Sequence, residues 1–378
     1  MENDEYYMRK ALKLARKGEG QTSPNPMVGA VIVKEGRIIG EGYHACCGEN
    51  HAEINAIARS IETIAGADFY ITLEPCTHYG KTPPCVDALI EHKPGRVIIG
   101  STDPNPLVAG QGINLLQKQG IETRVGVLEE ECRLLNEKFF KFMTTGLPFI
   151  TLKYAQTIDG RIATATGHSR WISSPVSRRY AHRLRGTHDA ILVGSGTVLF
   201  DDPDLTVRLV KGRNPLRVVL DSRLRIPLEA RILQNQDQAR TMVVTTKKAS
   251  KVKAKRLEDM GIELLFTNVT KKGELNLSEL FLKLGQKGVT SLLVEGGSSV
   301  ITSVLRERLA DKLLIIIAPK IVGKGIAGVG DLGIVNMDQA LSLFPIKYKK
   351  LGADLLMEAK IKVDSGCAGL PGHHRERN

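Results

Sequence analysis

Apolar and polar positions along the N-terminal part of the chain form helical and strand-like patterns in turn. A helical period runs over residues 4–18, with apolar positions on one side and lysines and arginines opposite. The patterns that follow predict strands at 28–33, 37–43, 69–73, 96–100 and 122–127, and helices at 51–61, 85–91, 112–119 and 129–143. This alternation predicts an α/β fold whose sheet is covered by helices on both faces.

A second alternation begins after residues 144–148, whose Thr-Thr-Gly-Leu-Pro sequence is typical of a helix end and a linker. Its predicted strands are 149–155, 190–194, 216–221, 241–245, 263–266, 291–295 and 312–318, and its predicted helices are 176–184, 251–258, 277–284 and 299–306. We therefore expect two α/β domains, at 1–146 and 147–365. Residues 366–378, rich in glycine and polar side chains, predict a disordered tail.

The composition of the 378 residues is that of an ordinary globular protein, with 42% hydrophobic and 25% charged residues. Apolar runs such as 313–318 are far shorter than the ~20 residues that a membrane-spanning helix needs. The acidic residues 1–5 are unlike the basic start of a signal peptide. We expect a cytoplasmic protein that does not bind membranes.

The formal charge of +12 suits either a nucleic acid or a small anionic ligand. The basic stretch at 247–256 has no interleaved aromatic residues, so we interpret it as a solvated helix face. Cys46, Cys47, Cys76 and Cys85 fall in a short segment that also holds histidines, which in a reducing compartment indicates metal binding rather than disulfides. Cys46 and Cys47 are adjacent and cannot easily bind one ion together, so we interpret them as bystanders.

One histidine and two cysteines have the pattern of a catalytic zinc site. His51 opens a predicted helix, Cys76 ends a predicted strand, and Cys85 follows two prolines at the start of another helix. One imidazole and two thiolates suit tetrahedral Zn²⁺ and leave a fourth position for water. Glu53 is placed to move protons between that water and a substrate. Zinc nucleobase deaminases share this chemistry but have two residues between their cysteines, whereas eight separate Cys76 from Cys85.

Two glycine turns follow predicted strands in the second half of the chain. Residues 193–199 contain the first two glycines of the dinucleotide-binding fingerprint and lack the third. Residues 294–299 form a second turn at a helix start, where backbone N–H groups can face phosphate. Neither turn alone predicts a conventional dinucleotide-binding domain.

Several short motifs extend through both halves of the chain. They lie at 24–29, 42–44, 48–53, 72–78, 80–85 and 103–106, and at 152–155, 159–161, 169–173, 194–198, 201–208 and 294–297. On these motifs the chain, apart from its tail, resembles the bacterial bifunctional riboflavin-biosynthesis deaminase/reductase family, in which eight residues separate the two cysteines. The resemblance implies a cytidine-deaminase-like three-layer domain followed by a dihydrofolate-reductase-like α/β domain.

The resemblance also implies two reactions on a small phosphorylated pyrimidine. The first is the zinc-dependent hydrolytic deamination of 2,5-diamino-6-(5-phosphoribosylamino)pyrimidin-4(3H)-one. The second is an NADPH-dependent reduction of the ribosyl chain, which gives 5-amino-6-(5-phosphoribitylamino)uracil. Members of the family further suggest a homo-oligomer, and no nucleic-acid partner is expected.

The resemblance implies site residues by position. In the deaminase half His51, Cys76 and Cys85 would bind zinc, Glu53 would shuttle protons, and the substrate would be held by Asn25, His44, Lys81, Asp103 and Asn105. In the reductase half the cofactor would be contacted by Ala155, Trp171, Thr197, Asp201, Ser222, Gly296, Gly297, Ser298 and Ser299. Its substrate would be contacted by Lys153, Ser169, Arg185, Leu205, Arg208 and Glu295. Lys153 and Glu295 would be the alternative proton donors.

Plainer interpretations exist for some of these residues. Asn25 and Asn105 stand beside prolines and could serve turns alone. Arg185 and Arg208 could each form only a surface salt bridge, and the single tryptophan, Trp171, could belong to the core.

Two other functions fit parts of the sequence. A tRNA or nucleotide deaminase with a nucleic-acid-binding appendage would explain the positive charge, but not the cysteine spacing or the reductase-like half. A non-catalytic zinc-binding protein would not need Glu53, because a structural site is closed by a fourth protein ligand.

Overall fold

The computed structural model describes residues 2–79, 83–105 and 108–361 of the chain. One compact unit consists of Met1–Phe149 and Arg179–Leu293, and the other of Ile150–Arg178 with the described residues from Val294 onward. The predicted tail at 366–378 lies outside the described residues. Within the described part of the chain, no helix combines the length and the apolar character needed to cross a bilayer.

The first 145 residues alternate between helices and strands, close to the predicted pattern. In chain order the elements are α1 Glu2–Ala15, a 3-10 helix Arg16–Gly18, β1 Gly29–Lys34, β2 Arg37–Tyr43, α2 Ala52–Ala58, β3 Asp68–Ile71, α3 Cys85–His92, β4 Arg96–Ile99, α4 Gln111–Lys118, β5 Glu122–Val125, α5 Glu129–Leu135 and α6 Glu137–Thr145.

The five strands form one sheet in the order β2-β1-β3-β4-β5. Strand β1 is antiparallel to both β2 and β3, whereas β3, β4 and β5 are parallel. The predicted hairpin between the first two strands is confirmed. Its turn residues Glu35 and Gly36 have φ of 49° and 76°, the backbone twist that joins two antiparallel strands through two residues.

Alternate residues of the sheet pack into two cores. Ile32 and Phe69 contact a cluster that includes residues of α2, α3 and α4, while Val31 and Tyr70 contact a cluster that includes residues of α1 and α5. Since successive side chains of a strand point to opposite faces, this pattern places helices on both sides of the sheet. The expected three-layer arrangement is confirmed.

The predicted single helix at 129–143 is wrong in one respect, because it is interrupted at Asn136. The buried side chain of Asn136 accepts a hydrogen bond from Met27 N (2.8 Å) and donates one to Met27 O (2.9 Å). These bonds hold Asn136 in a non-helical conformation with φ of −107°, so one helix ends before it and the next begins after it.

The rest of the chain again alternates. Its elements are β6 Phe149–Thr157, β7 Arg161–Thr164, α7 Pro175–Gly186, β8 Ala190–Gly194, α8 Ser195–Asp201, β9 Leu216–Leu220, a 3-10 helix Arg231–Leu233, β10 Thr241–Thr245, α9 Lys251–Asp259, β11 Glu263–Phe266, α10 Leu277–Gln286, β12 Ser291–Val294, α11 Ser298–Arg306, β13 Lys312–Ala318, β14 Gly325–Ala327, a 3-10 helix Met337–Gln339, β15 Leu343–Leu351 and β16 Asp354–Ile361.

In the first unit the strands of this part follow the order β11-β10-β9-β8-β12, and β8 to β11 are parallel. Every residue of β8 and β10 is buried, as expected for parallel strands covered on both faces. In the second unit the order is β6-β13-β16-β15, with β13 parallel to β6 and antiparallel to β16.

Among the described residues, strands β7, β14, β15 and β16 have no counterpart in the sequence pattern. Strands β7 and β14 are only four and three residues long and pair with each other. Strand β15 forms a hairpin with β16 at the sheet edge, and seven of its nine residues are exposed. Along β15 the exposed Phe344, Ile346 and Tyr348 are separated by Pro345 and lysines, so the strand has no continuous apolar run.

Candidate active sites

Three side chains with metal-binding atoms converge in the first unit. His51 is the N-cap residue of α2, Cys85 is the first residue of α3, and Cys76 lies in the loop after β3. His51 Nδ1 lies 3.5 Å from Cys76 Sγ and 3.3 Å from Cys85 Sγ, and the three ligand atoms all lie within 4.8 Å of one another. The expectation that Cys76 ends a strand is wrong, because β3 already ends at Ile71.

This donor set fits a zinc ion. Usual Zn–S and Zn–N bond lengths in a tetrahedral site place a nitrogen and a sulfur ligand about 3.6 Å apart. The separations from His51 Nδ1 to the two sulfurs match this value. The backbone N–H of Cys85, at the start of α3, donates a hydrogen bond to Cys76 Sγ (3.3 Å). Hydrogen bonds from Cys85 and His51 lower the pKa of Cys76, which favours the thiolate that zinc binds.

Glu53 lies in the first turn of α2, two residues after His51, and its side chain shares a hydrogen bond with Cys85. The residue is only 3% exposed. Burial, with a smaller contribution from the Cys76 thiolate, raises the pKa of Glu53 to about 7. A bound cation would lower this pKa again through its positive charge. A buried carboxyl group next to the metal-binding atoms is suited to accept a proton and return it.

Two predicted substrate residues meet beside the metal-binding cluster. His44 is buried, and its Nε2 lies 3.2 Å from Asn25 Nδ2, while its Nδ1 lies 3.2 Å from Asn50 O. A carbonyl oxygen can only accept, so Nδ1 carries the proton and Nε2 accepts the bond from Asn25. Burial lowers the pKa of His44, in agreement with a neutral ring. The rings of His44 and His51 stand edge to face, 5.2 Å apart.

Asp103 and Asn105 form a second pair in the loop after β4. Asp103 Oδ1 accepts the backbone N–H of Asn105 (2.8 Å), and burial raises the pKa of Asp103 to about 6. Lys81, the predicted partner of the substrate phosphate, lies outside the described residues.

The sequence did not assign a role to Glu74, which organises this loop. Its Oε2 accepts the backbone N–H groups of Asp103 (3.1 Å) and Gly110 (3.0 Å), and its Oε1 accepts those of Gly112 (3.0 Å) and Ile113 (3.4 Å). Two of these N–H groups belong to the first turn of α4, where a negative charge is favourable. The sequence offered one signal for this role, because Glu74 directly follows the predicted apolar strand 69–73 and precedes Pro75.

In the second unit the two predicted proton donors form an ion pair. Lys153 of β6 places its Nζ 3.8 Å from Glu295 Oε2, and both side chains are largely buried. Gly296 follows with φ of 101°, a conformation that favours glycine. Gly297 is the N-cap residue of α11, and Ser298 and Ser299 are in its first turn. Exposed N–H groups at a helix start suit a cofactor phosphate.

Trp171 is 62% exposed, so it does not belong to the core. The Arg178 guanidinium lies 4.2 Å from its ring centroid, and Lys320 Nζ donates to its carbonyl oxygen (2.5 Å). Ala155 lies in β6 and Ser169 in the segment before Trp171, both half-buried.

The remaining reductase residues lie in the first unit. Thr197 and Asp201 belong to α8, and Ser222 follows β9. Arg185 Nη1 donates to Thr206 O (3.4 Å), and Arg208 Nη1 donates to Thr206 Oγ1 (2.7 Å). Both guanidinium groups therefore contact Thr206. The side chain of Leu205 is buried.

Arg208 also has two neighbours that the sequence did not indicate as functional. It forms an ion pair with Asp204 Oδ2 (3.0 Å), as the plainer interpretation of this arginine anticipated. Its backbone N–H donates to Nδ1 of the buried His182 (3.0 Å).

Comparison with known protein families gives two matches. A family described as "RibD C-terminal domain" matches residues 148–357, and one described as "Cytidine and deoxycytidylate deaminase zinc-binding region" matches residues 1–101.

Whole-chain relatives agree with these matches. The riboflavin biosynthesis protein RibD of Aquifex aeolicus is 47% identical over 357 residues, which cover 94% of this chain and 98% of that protein. RibD of Escherichia coli is 42% identical over 368 residues, with coverages of 94% and 98%.

Two solved structures are similar over almost their full length. Acinetobacter baumannii RibD has 35% identity and a TM-score of 0.87. The Thermotoga maritima diaminohydroxyphosphoribosylaminopyrimidine deaminase/5-amino-6-(5-phosphoribosylamino)uracil reductase has 37% identity and a TM-score of 0.82. Each alignment covers 96% of this chain and 99% of the other. These matches confirm the fold class and the pair of activities expected from the sequence. The chain belongs to the RibD family of riboflavin biosynthesis enzymes, which join a zinc-binding deaminase domain to a reductase domain.

Proposed function

We propose that residues 1–146 catalyse the hydrolytic deamination of 2,5-diamino-6-(5-phosphoribosylamino)pyrimidin-4(3H)-one and that residues 147–365 reduce its product with NADPH. The observation that carries this proposal is the convergence of His51, Cys76 and Cys85 beside the buried carboxyl group of Glu53. A closed structural zinc site would have a fourth protein ligand instead of a buried acid.

In the deamination, His51, Cys76 and Cys85 hold the zinc ion. A zinc ion supplies Lewis acidity, which lowers the pKa of water towards ~7. Glu53 takes one proton from the attacking water and delivers it to a ring nitrogen, and it then takes the remaining proton of the added hydroxyl group and delivers it to the leaving amine. The carbon–oxygen bond forms at the ring carbon that carries the 2-amino group, the carbon–nitrogen bond breaks, and ammonia leaves.

The pyrimidine and its ribose phosphate are held by Asn25, His44, Lys81, Asp103 and Asn105. The proposal is supported by the bond that Asn25 donates to His44 and by the Asp103–Asn105 contact. Amide and carboxyl groups suit the hydrogen-bonding edges of the ring, and a lysine suits the phosphate.

In the reduction, NADPH supplies a hydride to the sugar carbon. Lys153 or Glu295 supplies the proton that the opened ribose needs, and both also contact the substrate. The ion pair between them keeps the two groups next to each other. Arg185 and Arg208 bind the substrate phosphate, since guanidinium groups pair well with phosphate oxygens. Ser169 and Leu205 complete the substrate contacts.

The cofactor contacts that we propose are Ala155, Trp171, Thr197, Asp201, Ser222, Gly296, Gly297, Ser298 and Ser299. The exposed ring of Trp171 and the uncapped start of α11 support this assignment. We further propose that the enzyme acts in the cytoplasm and as a homo-oligomer.

The decisive experiment separates the two reactions. Glu53→Ala should abolish ammonia release from the diaminopyrimidine phosphate while NADPH oxidation on the deaminated product stays at the wild-type rate. Glu62→Gln, at an exposed glutamate beyond the end of α2, should leave both rates unchanged. If both activities fell together in folded Glu53→Ala protein, the proposed division between the two segments would be wrong.

A further inference from the structure

The loop of residues 18–25 contacts His44, one of the proposed substrate residues of the deaminase. It ends at Asn25, whose Nδ2 lies 3.2 Å from His44 Nε2. It begins at Gly18, which approaches His44 so closely that a Cβ atom there would lie 2.4 Å from His44 O. Both ends of this loop therefore contact His44.

The same loop is held on its other side by residues that come much later in the chain. Arg213 Nε donates a hydrogen bond to Gly20 O (2.8 Å), and Arg213 Nη2 forms an ion pair with Asp189 Oδ1 (2.5 Å). Gly20 has φ of 82°, and a Cβ atom on it would lie 2.7 Å from Gly186 O. The contact is thus close-packed as well as hydrogen-bonded.

Asp189 is itself fixed, which makes it a rigid anchor for Arg213. Its Oδ2 accepts hydrogen bonds from the backbone N–H and hydroxyl groups of both Thr290 and Ser291, at 2.6 to 3.2 Å. The hydroxyl of Thr290 also lies 3.3 Å from Ser23 Oγ in the loop. By contrast, the neighbouring ion pair between Glu19 and Arg183 is exposed on both sides and contributes little.

We propose that Arg213 is a positioning residue for deamination. Its Nε binds Gly20 O and its Nη2 binds Asp189, so Arg213 holds the 18–25 loop in place. The loop in turn keeps the Asn25 amide within hydrogen-bonding distance of His44. This inference rests on the proposed roles of Asn25 and His44. Arg213 belongs in sequence to the segment proposed to carry the reduction, so a residue of that segment sets substrate affinity in the deaminase.

Arg213→Ala and Arg213→Lys in the full-length protein test the inference through kinetics. We expect the KM for the diaminopyrimidine phosphate to rise about tenfold in Arg213→Ala, the scale of one lost hydrogen bond to a charged donor. We expect kcat and zinc content to stay near the wild-type values, because Arg213 touches neither the reacting atoms nor the metal ligands. Arg213→Lys should restore little of the lost substrate affinity, because an ammonium group lacks the planar guanidinium geometry that serves two acceptors at once.

Arg240→Ala is the matched control, because Arg240 also pairs with a carboxylate in the first unit but on its exposed surface. It should leave KM unchanged. A KM within twofold of wild type in Arg213→Ala would overturn the inference. A parallel loss of kcat, zinc and reductase activity would also overturn it, because Arg213 would then only support the fold.

Hydrogen exchange gives a readout that does not depend on turnover. Amides of the 18–25 loop should exchange faster in Arg213→Ala than in wild type or Arg240→Ala. Unchanged exchange would overturn the inference even in an active enzyme. If the wild-type protein released no ammonia, the proposed function would be wrong. Faster exchange in Arg213→Ala would then still show that Arg213 holds the 18–25 loop.

Discussion

Lys153 Nζ lies 3.8 Å from Glu295 Oε2, and the two side chains are only 12% and 8% exposed. Burying two charges is costly, and removing one member of such a pair leaves the other charge without compensation. A pair that serves stability alone can be replaced by apolar residues, so its presence next to the Gly296–Gly297 turn favours a role in proton transfer and substrate binding.

Lys153→Met should lower the rate of NADPH oxidation on the deaminated substrate by about 10²–10⁴-fold, the usual contribution of general acid catalysis. Ammonia release in the deamination assay should not change. Lys312→Met is the matched control, because Lys312 also pairs with a glutamate, Glu358, at 3.4 Å in the second unit. If Lys153→Met oxidised NADPH at the wild-type rate, Lys153 would be excluded as the proton donor.

The zinc ligands can be tested by metal content. We expect about one zinc ion per chain in wild type, as one imidazole and two thiolates bind one ion. Cys85→Ser should lose the ion and the deaminase activity together, and should retain NADPH oxidation. Cys46→Ser and Cys47→Ser are the controls and should keep both the ion and the activity. Full zinc content in Cys85→Ser would remove Cys85 from the site.

Local patterns were sufficient to predict most of the elements, but not the features that depend on distant partners. The alternation of apolar runs predicted the strands of the first sheet and the hairpin at Glu35 and Gly36. The break at Asn136 was not predictable, because its cause is a pair of hydrogen bonds to Met27, 109 residues away. Strand β15 was not predicted because Pro345 and lysines interrupt its apolar residues, and its pairing with β16 is what makes it a strand.

The same distinction applies to the sites. The residue types of His51, Cys76 and Cys85 were enough to predict that they would meet, since few other functions need this combination. The contacts of Glu74 could not be predicted, because its partners are backbone N–H groups, which every residue except proline carries. The position of Arg213 beside Gly20 likewise depends on packing between distant segments.

Glu74→Gln should weaken the loop after β4, because an amide NH₂ group would replace one of the two accepting oxygens and face backbone N–H groups. Two hydrogen bonds to a charged acceptor are lost, so we expect the free energy of unfolding to fall by about 3 kcal/mol. The KM of deamination should rise, since Asp103 loses its support, while reduction stays unchanged. Denaturant unfolding and both assays measure these effects.

Glu62→Gln is the control for this substitution, because the Glu62 side chain forms an exposed ion pair with Arg37. Glu62→Gln should lower the free energy of unfolding by less than about 0.5 kcal/mol. Equal effects of the two substitutions would show that the bonds to Glu74 do not support the loop.

Asp189 predicts a pH dependence of stability. Burial opposes its charge, but hydrogen bonds from Ser23, Thr290 and Arg213 more than offset burial and lower the pKa of Asp189 to about 2, from 3.8. Because this pKa is lower in the folded than in the unfolded state, the stabilisation is complete above about pH 4 and is lost as the pH falls through about 2.

The charged form of Asp189 stabilises the folded state by about 2 kcal/mol. Asp189→Asn should therefore lower the free energy of unfolding by at least this amount at pH 7, and the difference from wild type should become smaller by about 2 kcal/mol as the pH falls to about 2. Urea unfolding of both proteins across this range measures the difference, with Asp237→Asn at an exposed aspartate as the control. A difference that stayed constant from pH 7 to pH 2 would mean that the carboxylate charge of Asp189 does not stabilise the fold.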